Sequence, residues 1–274
     1  MNIQHNLAKL ILTTSILLIS SLIVYGSDDK NAADEKIDNL PFCTYGTDEK
    51  VYEVYMEDIL YAVKGRDSLY LTRYFYNPEL NNPNITGKKQ PVIMFLFGGG
   101  FMEGNRNFKP YLKYFVYYVK QGYQVITIDY RQGLRNWYAN YFKEVKSGKK
   151  VEVKEQEIQS VLLNAVDLAV ADCITATNFV ISQSDKWHTD NNRIILSGSS
   201  LGAITAMQTE YYHSNRYFNG DTNVRERLPK NFGYAGIISF AGAVFTQKGE
   251  PEFGNNVTPV LFFHGDADPS VPFN

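Results

Sequence analysis

The segment Gly198-Ser199-Ser200-Leu201-Gly202 fits the pattern G-x-S-x-G, and the apolar run Ile194-Ile195-Leu196 stands just before it. A strand that turns sharply into a helix at this pattern lifts the serine hydroxyl clear of the sheet, where it can attack an acyl carbon. The glycines are needed because such a turn presses backbone against neighbouring elements, while the serine is held in a strained, exposed conformation. The helix opening at Leu201 aims its first amides and the positive end of its dipole at any anion forming there. Ser200 is the candidate nucleophile.

Further upstream, Gly98-Gly99-Gly100-Phe101 also follows an apolar run, Val92 to Phe97. Three glycines let backbone N–H groups approach a developing oxyanion. No Lys-Ser or Lys-Thr pair follows them, as a phosphate-binding P-loop requires. After the last apolar run, Pro259 to Phe263, comes His264-Gly265-Asp266-Ala267-Asp268. A carboxylate there, Asp268 or Asp266, would orient a histidine and offset the charge it gains on taking the serine proton.

The elements that must position these residues follow from periodicity. Val92–Phe97 and Gln124–Ile128 are nearly continuous apolar runs, as in parallel strands covered on both faces. Between them Leu112, Phe115, Val116 and Val119 recur at helical spacing, with Gly122 as a stop. Ile158, Leu162, Ala165, Ala169, Cys173, Ala176 and Val180 form the stripe of one long helix, and a further helix is expected over 203–212. Tyr234–Phe240 and Pro259–Phe263 read as buried strands. Val51–Val63 and Leu69–Tyr76 alternate, like half-buried antiparallel strands at one sheet edge. The stretch 131–155 has no clear period and is either a cap over the site or a surface excursion. The alternation predicts an α/β fold, a mostly parallel central sheet with helices on both faces, with chemistry just past the carboxyl ends of the strands.

Residues 1–26 combine a polar start, an apolar stretch from Leu10 to Val24 and a charged run after Gly26. This is the pattern of an export signal cut near Gly26, and the stretch falls short of the ~20 residues that span a bilayer. No stable membrane anchor is expected after cleavage, and the mature protein is expected to be secreted or periplasmic. Residues 27–50 are polar and acidic and read as a leader, leaving 51–274 as the folded domain. In an oxidising compartment Cys43 and Cys173 permit one disulfide, or remain two separate buried thiols. With 27 Lys+Arg against 29 Asp+Glu and no basic stripe, nucleic acid is not an expected partner.

Taken together, the motifs resemble the carboxylesterase and hormone-sensitive-lipase-like branch of the α/β-hydrolases, over roughly residue 51 to the end. The resemblance rests on Gly98-Gly99-Gly100-Phe101, Asp129-Tyr130-Arg131, Gly198 to Gly202, and His264 to Asp268. It implies Ser200 as nucleophile, Asp268 rather than Asp266 as acid, and Gly99, Gly100 and Leu201 as oxyanion donors. Asp129 and Arg131 take structural roles, and neither metal nor organic cofactor is implied. Many relatives carry histidine where this chain has Phe97. The implied substrate is a small-molecule or polysaccharide-linked ester. A prolyl-oligopeptidase-type peptidase shares the elbow and the acid motif, and a non-catalytic binding protein of the same fold is the rival from another class.

In this fold the catalytic histidine follows the acid, after one more strand. Only residues 269–274 follow Asp268. His5 lies in the signal, His188 precedes the strand that ends at the elbow, and His213 stands about 20 Å along the next helix. His264 sits four residues before Asp268 on the same strand end. None fits the base, so the expectation is a C-terminally truncated chain whose catalytic histidine lies beyond residue 274.

Overall fold

The alternating segments pair as strands: β1 (Cys43–Thr47), β2 (Lys50–Lys64) and β3 (Asp67–Tyr76) run antiparallel to one another in a computed structural model. It describes residues 43–47, 50–76, 88–149, 151, 153–214, 224–244, 258–268 and 271, with backbone alone at 43–47, 50–53 and 155. The expected signal and most of the expected leader lie outside these residues. The sheet begins at Cys43, within the stretch read as leader. This outermost strand of the described sheet pairs antiparallel with β2 along its whole length.

The apolar runs form β4 (Gln90–Leu96), β5 (Gln124–Ile128), β6 (Thr189–Ser199), β7 (Gly236–Phe240) and β8 (Val260–Phe263). The 8-stranded sheet has the order β1-β2-β3-β5-β4-β6-β7-β8, parallel from β5 to β8. Its helices are α1 (Leu112–Lys120, led in by a 3-10 turn at Lys109–Tyr111), α2 (Arg135–Lys146), α3 (Glu155–Ser182), α4 (Ser184–Trp187) and α5 (Leu201–Ser214).

Two adjacent β4 residues show that the sheet is covered on both sides. Met94 meets Thr177 of α3, whose hydroxyl lies 3.6 Å from its sulfur. Phe95 packs against Tyr114 and Phe115 of α1, with ring centroids 5.7 and 5.1 Å away. Neighbouring strand residues point to opposite faces, so α1 and α3 lie on opposite sides. α5 joins α3, since the Tyr212 hydroxyl donates to Asp167 at 3.2 Å. By length and composition α3 would pass for a membrane span, yet 67% of that apolar stretch is buried inside the protein. Its apolarity belongs to the core.

One expectation changes, and two readings left open gain detail. β8 was expected to be buried, but Leu261, Phe262 and Phe263 are 52%, 48% and 50% exposed. These residues alternate in direction, so both faces of this edge strand stand open. Of the two readings left open for the cysteines, the one consistent with the structure is the separate thiol: Cys173 is free and fully buried in α3. Burial pushes that thiol up to about 12, against the pull of hydrogen bonds from Thr209 and Thr177. The aperiodic stretch 131–155 contains α2, which with the start of α3 borders an open groove of about 690 Å³ lined by Trp137, Tyr141 and Glu157 among others. Its lining includes neither the G-x-S-x-G turn nor the glycine loop.

Candidate active site

β6 ends at Ser199 and α5 starts at Leu201, so Ser200 alone makes the turn between them. Its φ is 53°, a left-handed value that is uncommon for a non-glycine residue and costs free energy. Two hydrogen bonds hold it there. The Ser200 amide donates to the Phe240 carbonyl at the end of β7 (2.8 Å), and its carbonyl accepts from Ile204 within α5 (2.9 Å). Gly202 is obligatory, because a Cβ there would collide with the carbonyl oxygens of Leu96 and Phe97. α5 is thereby seated directly on the end of β4. Among the described residues the Ser200 hydroxyl has no hydrogen-bond partner.

The end of β4 delivers the glycine loop to the same place. A Cβ built on Gly98 would lie 2.9 Å from the Ser199 carbonyl oxygen and 3.3 Å from the Ser200 Cβ. Gly99 has φ 141°, and a side chain there would strike the Glu103 backbone, so only glycine fits. The Gly99 carbonyl accepts from the amides of Met102 and Glu103, both at 3.1 Å, which closes the loop. Among the described residues no acceptor takes up the amides of Gly99, Gly100 or Leu201. Donors without an acceptor, in a loop that meets a half-buried serine, are an arrangement that can stabilise an oxyanion.

Asp268 lies in the turn after β8. It accepts the Val271 amide at 3.0 Å, and its own amide donates to the Gly265 carbonyl at 3.2 Å. Asp266, in the same turn, is exposed. Ser199, Phe240 and Phe263 stand in one row across β6, β7 and β8. The next residues, Ser200 and His264, are therefore about 10 Å apart at two strand spacings. The sheet brings the turn that carries Asp268 to the same edge as Ser200.

Of the described histidines, His264 and His213 have ring contacts with backbone carbonyls, and His188 stands at the far end of the sheet. His264 Nε2 is 2.5 Å from the Val271 carbonyl and 3.7 Å from the Asp268 carboxylate, with its side chain 4% exposed. His188 precedes β6, and its carbonyl accepts from Gln90 at the far end of β4. His213 closes α5, with Nε2 2.8 Å from the Phe232 carbonyl.

Asp129 and Arg131 brace the site from below. The Arg131 guanidinium grips Asp172 with contacts of 2.8–3.1 Å, and the Arg131 amide adds another at 2.8 Å. Burial pushes the Asp172 carboxyl up, against the lowering pull of Arg131. Asp129 receives Arg106 at 2.7 Å. The sequence reading missed two tyrosines: the Tyr130 hydroxyl donates to the Phe97 carbonyl at 2.5 Å, and the Gly98 amide donates to the Tyr111 hydroxyl at 3.4 Å. Tyr130 lies inside a motif already singled out, whereas nothing in sequence marks Tyr111.

No protein-family model matches this chain. No curated protein matches it in sequence. Among solved structures it is similar to esterase 2 of Thermogutta terrifontis phosphoramylated by tabun, at 21% identity over 80% of this chain and 74% of that one, with a TM-score of 0.52. The same esterase phosphorylated by paraoxon gives 21% identity, 80% and 73% coverage and 0.52. Its propionate-bound form gives 20%, 79%, 74% and 0.52. At this identity the likeness concerns architecture, and this chain has the α/β fold of those esterases, a mostly parallel sheet covered by helices on both faces.

Proposed function

We propose that this chain is a serine hydrolase of carboxylic esters with Ser200 as nucleophile. One observation carries the reading: Ser200 is strained at φ 53°, its hydroxyl has no partner among the described residues, and Gly98, which opens a loop whose Gly99 and Gly100 amides have no acceptor among those residues, lies against its side chain. A fold rarely holds a serine in such a strained conformation unless the strain serves a function. The relatives in fold support the choice of ester, since one is phosphorylated by paraoxon and also binds propionate.

In this mechanism a base removes the Ser200 proton while Oγ bonds to the ester carbon. The amides of Gly99, Gly100 and Leu201 receive the oxyanion. The carbon–alkoxy bond then breaks and the alcohol leaves with the proton. Water attacks the acyl-serine by the same route and releases the acid. Asp268 orients the base. His213 and His264 are bound to the backbone carbonyls of Phe232 and Val271, and His188 stands before β6, at the far end of the sheet from Ser200, so the base role is assigned to a group outside the described residues. Export to the periplasm or beyond, and an ester on a small molecule or polysaccharide, complete the proposal; they rest on residues 1–26 and are checked by cell fractionation.

The test compares initial rates on a short-chain p-nitrophenyl ester and on a proline peptide. Ester cleavage that falls at least about a thousandfold in Ser200→Ala supports the proposal. Cleavage of the peptide alone would assign a peptidase, and neither activity would favour a binding protein.

A further inference from the structure

Resting on the reading of Gly99 and Gly100 as oxyanion donors, we infer that Tyr111 and Tyr130 are positioning residues that clamp one peptide plane and thereby aim the glycine loop. The Phe97 carbonyl and the Gly98 amide belong to the same peptide unit. Tyr130 donates to its oxygen at 2.5 Å, and Tyr111 accepts from its N–H at 3.4 Å. In a trans peptide these atoms point in opposite directions, so the hydroxyls grip the plane from both edges. No cis peptide occurs among the described residues.

The consequence appears one residue on. The Gly99 carbonyl and Gly100 amide share another peptide, fixed by the hydrogen bonds from Met102 and Glu103. Between these two planes lies the peptide of Gly98 and Gly99, which carries the Gly99 donor. Among the described residues it has no hydrogen bond of its own. Glycine torsions are the freest in the chain, so its direction is set by the flanking planes. One is held by the loop itself and the other by the tyrosines. An oxyanion hole contributes only when its donors are already aimed, so loosening the clamp weakens the transition state more than substrate binding.

Both rings are anchored to serve as fixed points. Tyr130 is 3% exposed, stacks on Phe97 at 4.6 Å and meets Phe101 edge-on at 6.2 Å. Tyr111 packs against Phe95 at 4.7 Å and Phe108 at 5.5 Å. Burial raises the Tyr130 hydroxyl well above the ordinary phenol range, which keeps it a donor at any working pH.

Tyr111→Phe, Tyr130→Phe and their double variant keep the rings and delete the hydroxyls; Tyr117→Phe on exposed α1 surface is the control. In the full chain, ester turnover and paraoxon phosphorylation of Ser200 are measured beside amide hydrogen exchange at Gly99 and Gly100. We expect kcat and the phosphorylation rate to fall about tenfold in each single variant and about a hundredfold in the pair. KM stays within about twofold, and exchange at Gly99 speeds up. Tyr117→Phe changes none of these. Unchanged rates in both single variants overturn the clamp, as does unchanged exchange at Gly99. A parent chain unreactive at Ser200 overturns the esterase reading instead, and exchange then decides the clamp alone, faster supporting it and unchanged refuting it.

Discussion

The middle of the sheet and its β8 edge are built to different standards. Where β4 and β6 lie side by side, Ile93, Met94, Leu96, Ile194 and Leu196 are fully buried, and Gly202 lets α5 touch the β4 carbonyls. At β8 three consecutive large apolar residues are about half exposed on both faces. Ser200 and the glycine loop stand on the first region, and Asp268 hangs from the second. On the proposed mechanism, the groups that must be aimed within fractions of an ångström sit on rigid scaffold, while the proposed acid, which acts through another group, sits on the lighter end.

The contrast breaks if substitutions at the centre are tolerated. Gly202→Ala has the largest expected effect, about 3 to 5 kcal/mol of lost stability, because its Cβ meets backbone oxygens that cannot step aside. Denaturant unfolding measures it. Arg131→Met comes next, at about 3 kcal/mol in the same assay, since it strands the fully buried Asp172 carboxylate.

Alkaline pH probes the core more gently. The folded Cys173 thiol is pushed up to about 12, above its unfolded value, so the native state holds its proton longer. That stabilisation is complete below about pH 8.5 and is lost as pH rises toward the folded value. Urea midpoints measured from pH 8 to 10 should show a decline on the order of 2 kcal/mol. Cys173→Ser should remove the part of the decline below about pH 9 and leave a part near pH 10, where the buried Tyr61, Tyr74, Tyr114, Tyr130 and Tyr234, also raised by burial, begin to act. At the other extreme, Phe262→Thr on β8 should shift stability by less than about 0.5 kcal/mol, because half of that surface is already wet. A loss of about 2 kcal/mol in thermal unfolding would mean the edge is covered and would erase the contrast.

Much of this was legible in sequence because hydrophobic period and burial coincide. The runs at Val92, Gln124 and Ile194 became central strands, and the stripe from Ile158 to Val180 became α3. The glycines at 198 and 202 announced the turn at Ser200, since only close backbone approach requires them. What escaped has other physical causes. β1 is only 5 residues long, too short to write a period, and α2 carries only one buried residue, Tyr138. Leu261, Phe262 and Phe263 read as buried because composition does not say whether anything covers a strand. The grip of Tyr111 and Tyr130 on one peptide exists only once β4, β5 and the approach to α1 converge.

The central claim is that Ser200 is a nucleophile held ready by the turn between β6 and α5. Incubating the full chain with paraoxon and mapping the phosphoryl group by peptide mass spectrometry tests it most directly. One phosphoryl group on Ser200, absent from Ser200→Ala and from the heat-unfolded chain, is the predicted result. A folded chain that stays unmodified, or takes the label at another residue, contradicts it.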